Sequence, residues 1–207
     1  KGYTTLAGDG FYTLEEKKSI FYAQCKRVEN EAQAKAFLDQ VKDQYPDANH
    51  HVYAWYIGGL DGHMLQRFSD DGEPHGTSGP PVLDVLAKAN ILDAAIVVTR
   101  YFGGTLLGTG GLVKAHGSAA SGAVRQAGLV DRIPAFYYHI SFPYSFVDQL
   151  THRLEQAQIE IREKTFLAQV HYDLVVPAES VPAVLELIQE ISQGQALVEK
   201  GNLTFFD

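Results

Sequence analysis

The sequence has 207 residues, 45% hydrophobic and 20% charged, with a net charge of −8; this is an ordinary globular composition with room for two small cores. No run approaches the roughly 18 consecutive apolar residues of a membrane span, and the opening KGYTTLAGDGFYTLEEKK has no apolar stretch of the kind a secretion signal carries. The single cysteine, Cys25, excludes an intramolecular disulfide and fits a reducing compartment, so a cytoplasmic protein without membrane contact is expected. Residues 1–132 hold 13 Lys and Arg against 15 Asp and Glu, whereas residues 133–207 hold 4 against 10. The acidity sits in the C-terminal part, so any contact with RNA is expected from the N-terminal part.

Residues 11–28 alternate loosely and predict two strands turning at Lys17-Lys18. Asn30 caps a predicted helix reaching about residue 45, with Ala34, Phe37, Leu38 and Val41 at helical spacing and Pro46 beyond its end. Residues 50–57 read as a strand with Val52, Ala54 and Tyr56 on one face and His51, Tyr53 and Trp55 on the other. Gly58-Gly59 and Asp61-Gly62 mark a hairpin into a strand at 64–68. Residues 69–81, rich in Gly and Pro, are expected to be a loop, followed by a helix over about 82–89. The apolar run 94–98 reads as a buried central strand. A second glycine-rich loop over 103–111 feeds a helix from 112 to about 126, with Thr109 as its cap, and residues 128–134 look like a linker. The remainder predicts strand 135–142, helix 144–156, strands 160–165 and 167–175, a helix to 191 and a last strand 196–206. That β-α-β-β-α-β order is the split βαβ pattern of a ferredoxin-like domain. The whole is an α+β chain, with domains at 1–132 and 133–207.

Three segments place polar and glycine residues where a core would want Leu or Val. His50-His51 opens a strand, so the two imidazoles point to opposite faces and do not readily share a metal. Asp70, Asp71 and Glu73, with His75 nearby, could ligate a divalent cation through oxygen; the alternative is a turn in which an Asp accepts backbone N–H groups and Gly72 takes the positive φ. The segment does not fit the twelve-residue calcium loop, and neither metal nor cofactor is expected. The third segment runs from Arg100 and Tyr101 through Gly103, Gly104, Gly108, Gly110 and Gly111 to Lys114. A glycine-rich loop entering a helix offers free N–H groups and the positive end of the dipole to an anion. It is neither a P-loop nor a dinucleotide fingerprint, and tight strand-to-helix packing explains its glycines equally well. No nucleophile–base triad can be assembled, and Cys25 reads as a buried thiol.

Four ordered blocks then stand together: Lys18-Ser19 with Phe21; residues 48–55; Ser69-Asp70-Asp71-Gly72-Glu73-Pro74 with Gly76-Thr77; and Arg100-Tyr101-Phe102-Gly103-Gly104 continuing to Gly108-Thr109-Gly110-Gly111-Leu112-Val113. As a set they resemble the YigZ/IMPACT family over essentially the whole chain. The resemblance implies an N-terminal βα sandwich similar to one in a small-subunit ribosomal protein and in domain IV of elongation factor G. It implies a ferredoxin-like C-terminal domain similar to domain V of that factor. Eukaryotic relatives regulate translation in amino-acid starvation through a further N-terminal domain without counterpart in this sequence, so that partner is not carried over. For bacterial members the resemblance implies a link to RNA or the translation machinery.

Three expectations follow. In the first, RNA or the ribosome is bound by Lys17, Lys18, Arg67, Arg100 and Lys114, with Tyr101 or Phe102 free to stack on bases. In the second, His50, Asp70, Asp71, Glu73 and Arg100 converge on a cleft, as in an enzyme or small-ligand protein. There Gly108, Gly110 and Gly111 cradle the phosphate of an anionic ligand. In the third, the loops brace one another, with Arg100 bridging carboxylates of the 69–74 loop.

Overall fold

A computed structural model describes residues 2–207; Lys1, at the start of the expected N-terminal domain, lies outside them. The described chain divides into two compact units, Gly2–Asp131 and Arg132–Asp207.

In the first unit β1 (Tyr3–Leu6) precedes a hairpin of β2 (Gly10–Glu16) and β3 (Ser19–Arg27). Lys17 and Lys18 turn it, both at positive φ (47° and 66°), as a two-residue turn matched to strand twist requires. Then come α1 (Glu31–Gln44), β4 (His50–Ile57), β5 (Leu65–Ser69), α2 (Gly79–Lys88), β6 (Ala94–Tyr101) and α3 (Gly108–Ala127). The antiparallel sheet runs β2-β3-β6-β4-β5. Asn30 caps α1 as expected, its Oδ1 accepting the Gln33 N–H at 2.9 Å.

Strand parity divides this core. Phe37, Leu38 and Val41 of α1 pack on Trp55, Ile57, Ala95 and Val97. On the opposite face, Leu86 of α2 and Leu112, Ala119 and Ala123 of α3 pack on Phe21, Val52, Ala54, Ile96 and Val98. β6 is central and covered on both faces, which is why residues 94–98 are a continuous apolar run.

Three boundaries differ from the sequence reading, and one strand is added to it. α2 starts at Gly79, because Pro80 and Pro81 occupy its first turn, where a missing N–H costs nothing. α3 starts at Gly108, so Gly108, Gly110 and Gly111 form its first turn, and Thr109 lies inside the helix, not at the cap. The expected linker over 128–134 is largely strand: Gly128 ends α3 at φ 73° and β7 (Leu129–Phe142) follows at once. β1 is an addition to the sequence reading, being four residues without a legible period.

The second unit continues with α4 (Val147–Gln156), β8 (Glu160–Phe166), β9 (Val170–Pro177), α5 (Val181–Ile191) and β10 (Leu197–Phe206). Its antiparallel order β10-β7-β9-β8, with one helix after β7 and another after β9, is the split βαβ pattern. Ile140, Phe142, Tyr172 and Leu174 of one sheet face pack on Leu150, Leu154, Val184 and Ile188 of the helices. Tyr137, His139, His171 and Asp173, of opposite parity, lie on the other face.

Candidate functional site

Phe21, Arg100 and His50 are neighbours in register across β3, β6 and β4, on the face that meets α2 and α3. Arg100 and Glu73 are both buried. Arg100 Nη1 lies 2.8 Å from Oε1 and 2.8 Å from Oε2 of Glu73, and Nη2 donates to Ser19 Oγ at 3.2 Å. Ser19 Oγ also accepts the Gly103 N–H at 3.1 Å. His116, on α3 and fully buried, sets Nε2 3.2 Å from Glu73 Oε1, and His50 Nε2 stands 3.7 Å from Oε2. An ionised carboxylate can only accept, so Nε2 of His116 carries its proton. That leaves His116 Nδ1, like Arg100 Nε, buried without a hydrogen-bond partner. The guanidinium lies over the rings of Phe21 and Phe102, 5.5 and 5.6 Å from their centroids.

Burial pushes the Glu73 carboxyl up, but hydrogen bonds from His116 and Arg100 and the charges of His50 and Arg100 outweigh it and hold it below its ordinary value. Burial lowers His116 more than Glu73 raises it. The centre is thus a carboxylate neutralised by a guanidinium and faced by a neutral imidazole. It braces the 69–78 loop against β6 and α3, as the third expectation has it, through Glu73 alone.

Asp70 and Asp71 do not join Glu73. Asp70 accepts the N–H groups of Gly76 (2.9 Å), Ser78 (3.0 Å) and Gly79 (2.8 Å). Burial raises its pKa and these bonds, with His75, lower it further, leaving it below the ordinary value. Asp71, at φ 44°, accepts the His51 N–H at 2.7 Å, and its carbonyl accepts from His50 Nδ1 at 2.8 Å. Both carboxylates therefore shape the loop, which corrects the convergent-carboxylate reading. No group of three or more His, Cys, Asp or Glu side chains that could hold a metal is assembled among the described residues.

A cleft of about 410 Å³ opens beside the centre, lined among others by His50, Glu73, Arg100, Phe102, Leu106 and Thr109. Phe102 and Leu106 are exposed. The first turn of α3 faces it with no side-chain cap, its N-cap being Leu107. A second cleft of about 280 Å³, which shares Leu107 with the first, is lined by Lys17, Lys114, Gly111 and Glu16 among others.

The glycines here have different reasons. A Cβ on Gly103 would sit 2.1 Å from the Lys18 carbonyl carbon, so its backbone packs directly on the β2–β3 hairpin. Gly104 and Gly108 have φ 86° and 76°. A Cβ on Gly111 would press on Leu107 Cβ at 3.1 Å. Gly110 has neither reason: its φ is not positive, and a Cβ there would meet nothing within 4 Å.

The remaining expected binding residues disperse. Arg67 is exposed but pairs with Glu31 of α1 at 3.0 Å on the opposite sheet face, and Arg100 is buried in its ion pair, so the two do not form one basic surface. Tyr101 also points to the α1 face, where its hydroxyl donates to Asp47 at 2.7 Å. That bond, with burial and charge, pushes its pKa up to about 12. Lys18 is exposed at the hairpin tip, and His51 faces away from the cleft, bonded to Thr99 Oγ1 and the Tyr45 carbonyl. His116 and Ser19 join the site without having been expected there. The signal for His116 is a large polar side chain within an otherwise Gly- and Ala-rich helical stretch.

Residues 17–124, which contain Ser19, His50, Glu73, Arg100 and His116, match the Impact N-terminal domain, and residues 140–195 match a domain of unknown function, DUF1949. The chain belongs to the IMPACT family. IMPACT family member YvyE of Bacillus subtilis is 33% identical over 99% of this chain and 94% of its own. IMPACT family member YigZ of Escherichia coli is 36% identical over 87% and 88%. A solved crystal structure described as that of a hypothetical protein is 33% identical and superposes with a TM-score of 0.66, covering 96% of both chains. No helix among the described residues is long and apolar enough to cross a membrane.

Proposed function

We propose that this IMPACT family member is an RNA-binding protein of the translation machinery, acting on the ribosome or its RNA. The contact surface runs over the first turn of α3, between the Phe102 cleft and the Lys17–Lys114 cleft. The observation that carries this reading is Gly110. In a helix glycine costs about 1 kcal/mol against alanine, and here neither φ nor packing calls for it. A bare backbone at a helix N-terminus, with no capping side chain, suits the close approach of a phosphate oxygen. Lys17 and Lys114 supply charge beside it, and exposed Phe102 supplies a face on which a base can stack. The polar centre favours binding over catalysis: Glu73 is neutralised by Arg100, and Asp70 and Asp71 are held by backbone N–H groups, which leaves no free general base among them. The test is binding of single-stranded RNA across a salt series. Lys17→Gln with Lys114→Gln lowers the salt slope by about 2, one for each phosphate no longer neutralised; an unchanged slope rejects the surface.

A second reading is favoured by the volume of the Phe102 cleft, about 410 Å³, which falls in the range of small-molecule sites. There an anionic metabolite places its phosphate on the same turn. A thermal-shift screen of nucleotides and sugar phosphates tests it; no stabilised member of the panel rejects it.

A further inference from the structure

The open face of the C-terminal sheet carries a polar row in register across its four strands: Glu199 of β10, His139 of β7, Asp173 of β9 and Glu163 of β8. His171, two residues before Asp173 on β9, lies diagonally beside His139 on the same face. His139 Nδ1 donates to Asp173 Oδ1 at 2.6 Å, and His139 Nε2 stands 3.1 Å from His171 Nδ1. A cleft of about 450 Å³ opens over the row, lined by His139, Asp173, Glu163 and Glu199 together with Tyr137 and Arg162. Arg162 is engaged by Glu160 at 3.1 Å and by the Tyr137 hydroxyl at 3.1 Å.

We infer that His139 and His171 form a two-imidazole site for a divalent transition-metal ion of the zinc type. The bond to Asp173 fixes the proton of His139 on Nδ1 and turns the Nε2 lone pair toward His171. This is the carboxylate–imidazole arrangement that orients metal-bound histidines. Two nitrogens on one tetrahedral zinc stand roughly 3.3 Å apart, given Zn–N bonds of about 2.0–2.1 Å, and these two are 3.1 Å apart. Imidazole nitrogen selects Zn²⁺, Cu²⁺ or Ni²⁺ over Mg²⁺ and Ca²⁺. Three carboxylates in the row outnumber Arg162 and Lys200, the two cations in the lining of the same cleft, and half-exposed side chains leave the remaining coordination positions to water. In the metal-free pair His139 Nε2 accepts from His171 Nδ1–H, so binding requires His171 to move its proton to Nε2. The site is distinct from the RNA surface proposed above.

The test is titration of the untagged full chain with ZnCl2, followed by isothermal calorimetry and by ¹⁵N-edited spectra of the imidazole nitrogens. The expected result is one equivalent of Zn²⁺, with His171 changing tautomer and His139 keeping its Nδ1 proton, while His50, His63 and His75 stay unperturbed at that first equivalent. His139→Asn and His171→Asn, both on the open face, each weaken binding at least tenfold, and Asp173→Asn weakens it about 10–100-fold. Absence of a stoichiometric equivalent, or affinity unchanged in the two His variants, overturns the assignment.

Discussion

Arg100 Nη1 stands 2.8 Å from each oxygen of the Glu73 carboxylate, in a corner closed by Phe21 and His116. Deleting one partner of such a pair leaves an uncompensated buried charge and costs about 3–5 kcal/mol. Arg100→Met is therefore expected to lower unfolding stability by that amount in urea titrations. Adding Glu73→Gln recovers a large part, because the orphaned charge is gone. Additive losses in the double variant would show that the two residues act separately.

Acid should unfold the protein in two stages. Burial keeps His116 and His51 neutral in the folded state, with pKa values below the ordinary 6.5. The unfolded chain takes up those protons first, so stability present above about pH 6.5 begins to fall below it. Glu73 and Asp70 are held below their ordinary carboxyl values in the folded state; their contribution is present above about pH 4.5 and is lost as pH falls toward the folded pKa values. His116→Leu should flatten the upper stage, leaving the share due to His51, and Glu73→Gln should reduce the lower one. Urea midpoints measured from pH 8 to pH 3.5 resolve the two.

Two alanine substitutions in the glycine-rich segment are expected to act in opposite directions. Gly103→Ala drives a methyl group into the Lys18 carbonyl and destabilises the first unit by about 1–3 kcal/mol, as overpacking does. Gly110→Ala meets open space and strengthens α3 by up to about 1 kcal/mol. If the first turn of α3 receives a phosphate, the second substitution nonetheless weakens RNA binding. Melting temperatures and binding isotherms on the same samples separate the two effects.

Asp70→Ala removes the acceptor of three loop N–H groups and is expected to cost about 2 kcal/mol. Because that carboxylate closes the loop and does not line the cleft, RNA affinity at temperatures where the variant is folded should be unchanged.

Much of the fold is legible in the sequence because its periods are clean. The alternation at 50–57 gives both faces of β4, the run at 94–98 gives a strand covered on both sides, and Asn30 gives a helix start. What escapes are boundaries where glycine and proline enter helices: Pro80-Pro81 and Gly108 through Gly111 read as breakers, although the first turn of a helix tolerates both residue types. The candidate site is half legible. His50, Glu73 and Arg100 are expected together and do meet. Asp70 and Asp71 group with them by sequence proximity, yet the Asp70 carboxylate turns to the loop N–H groups and the Asp71 carboxylate, from a turn with φ 44° and 85° at Asp71 and Gly72, to the His51 N–H of β4. Buried Asp93, at φ 55°, is invisible in the sequence: it binds the Tyr3 hydroxyl and the N–H groups of Gly58 and Gly59, a convergence that no local pattern announces.

The most direct test of the proposed function is co-sedimentation of the purified chain with ribosomes and separated subunits from low to high salt, beside Gly110→Ala and the Lys17→Gln, Lys114→Gln double variant. Salt-sensitive association is expected, weakened in Gly110→Ala in spite of its higher melting temperature and flattened in salt dependence in the lysine variant. Association equal in all three proteins, or none even at low salt, would contradict an RNA surface on the first turn of α3.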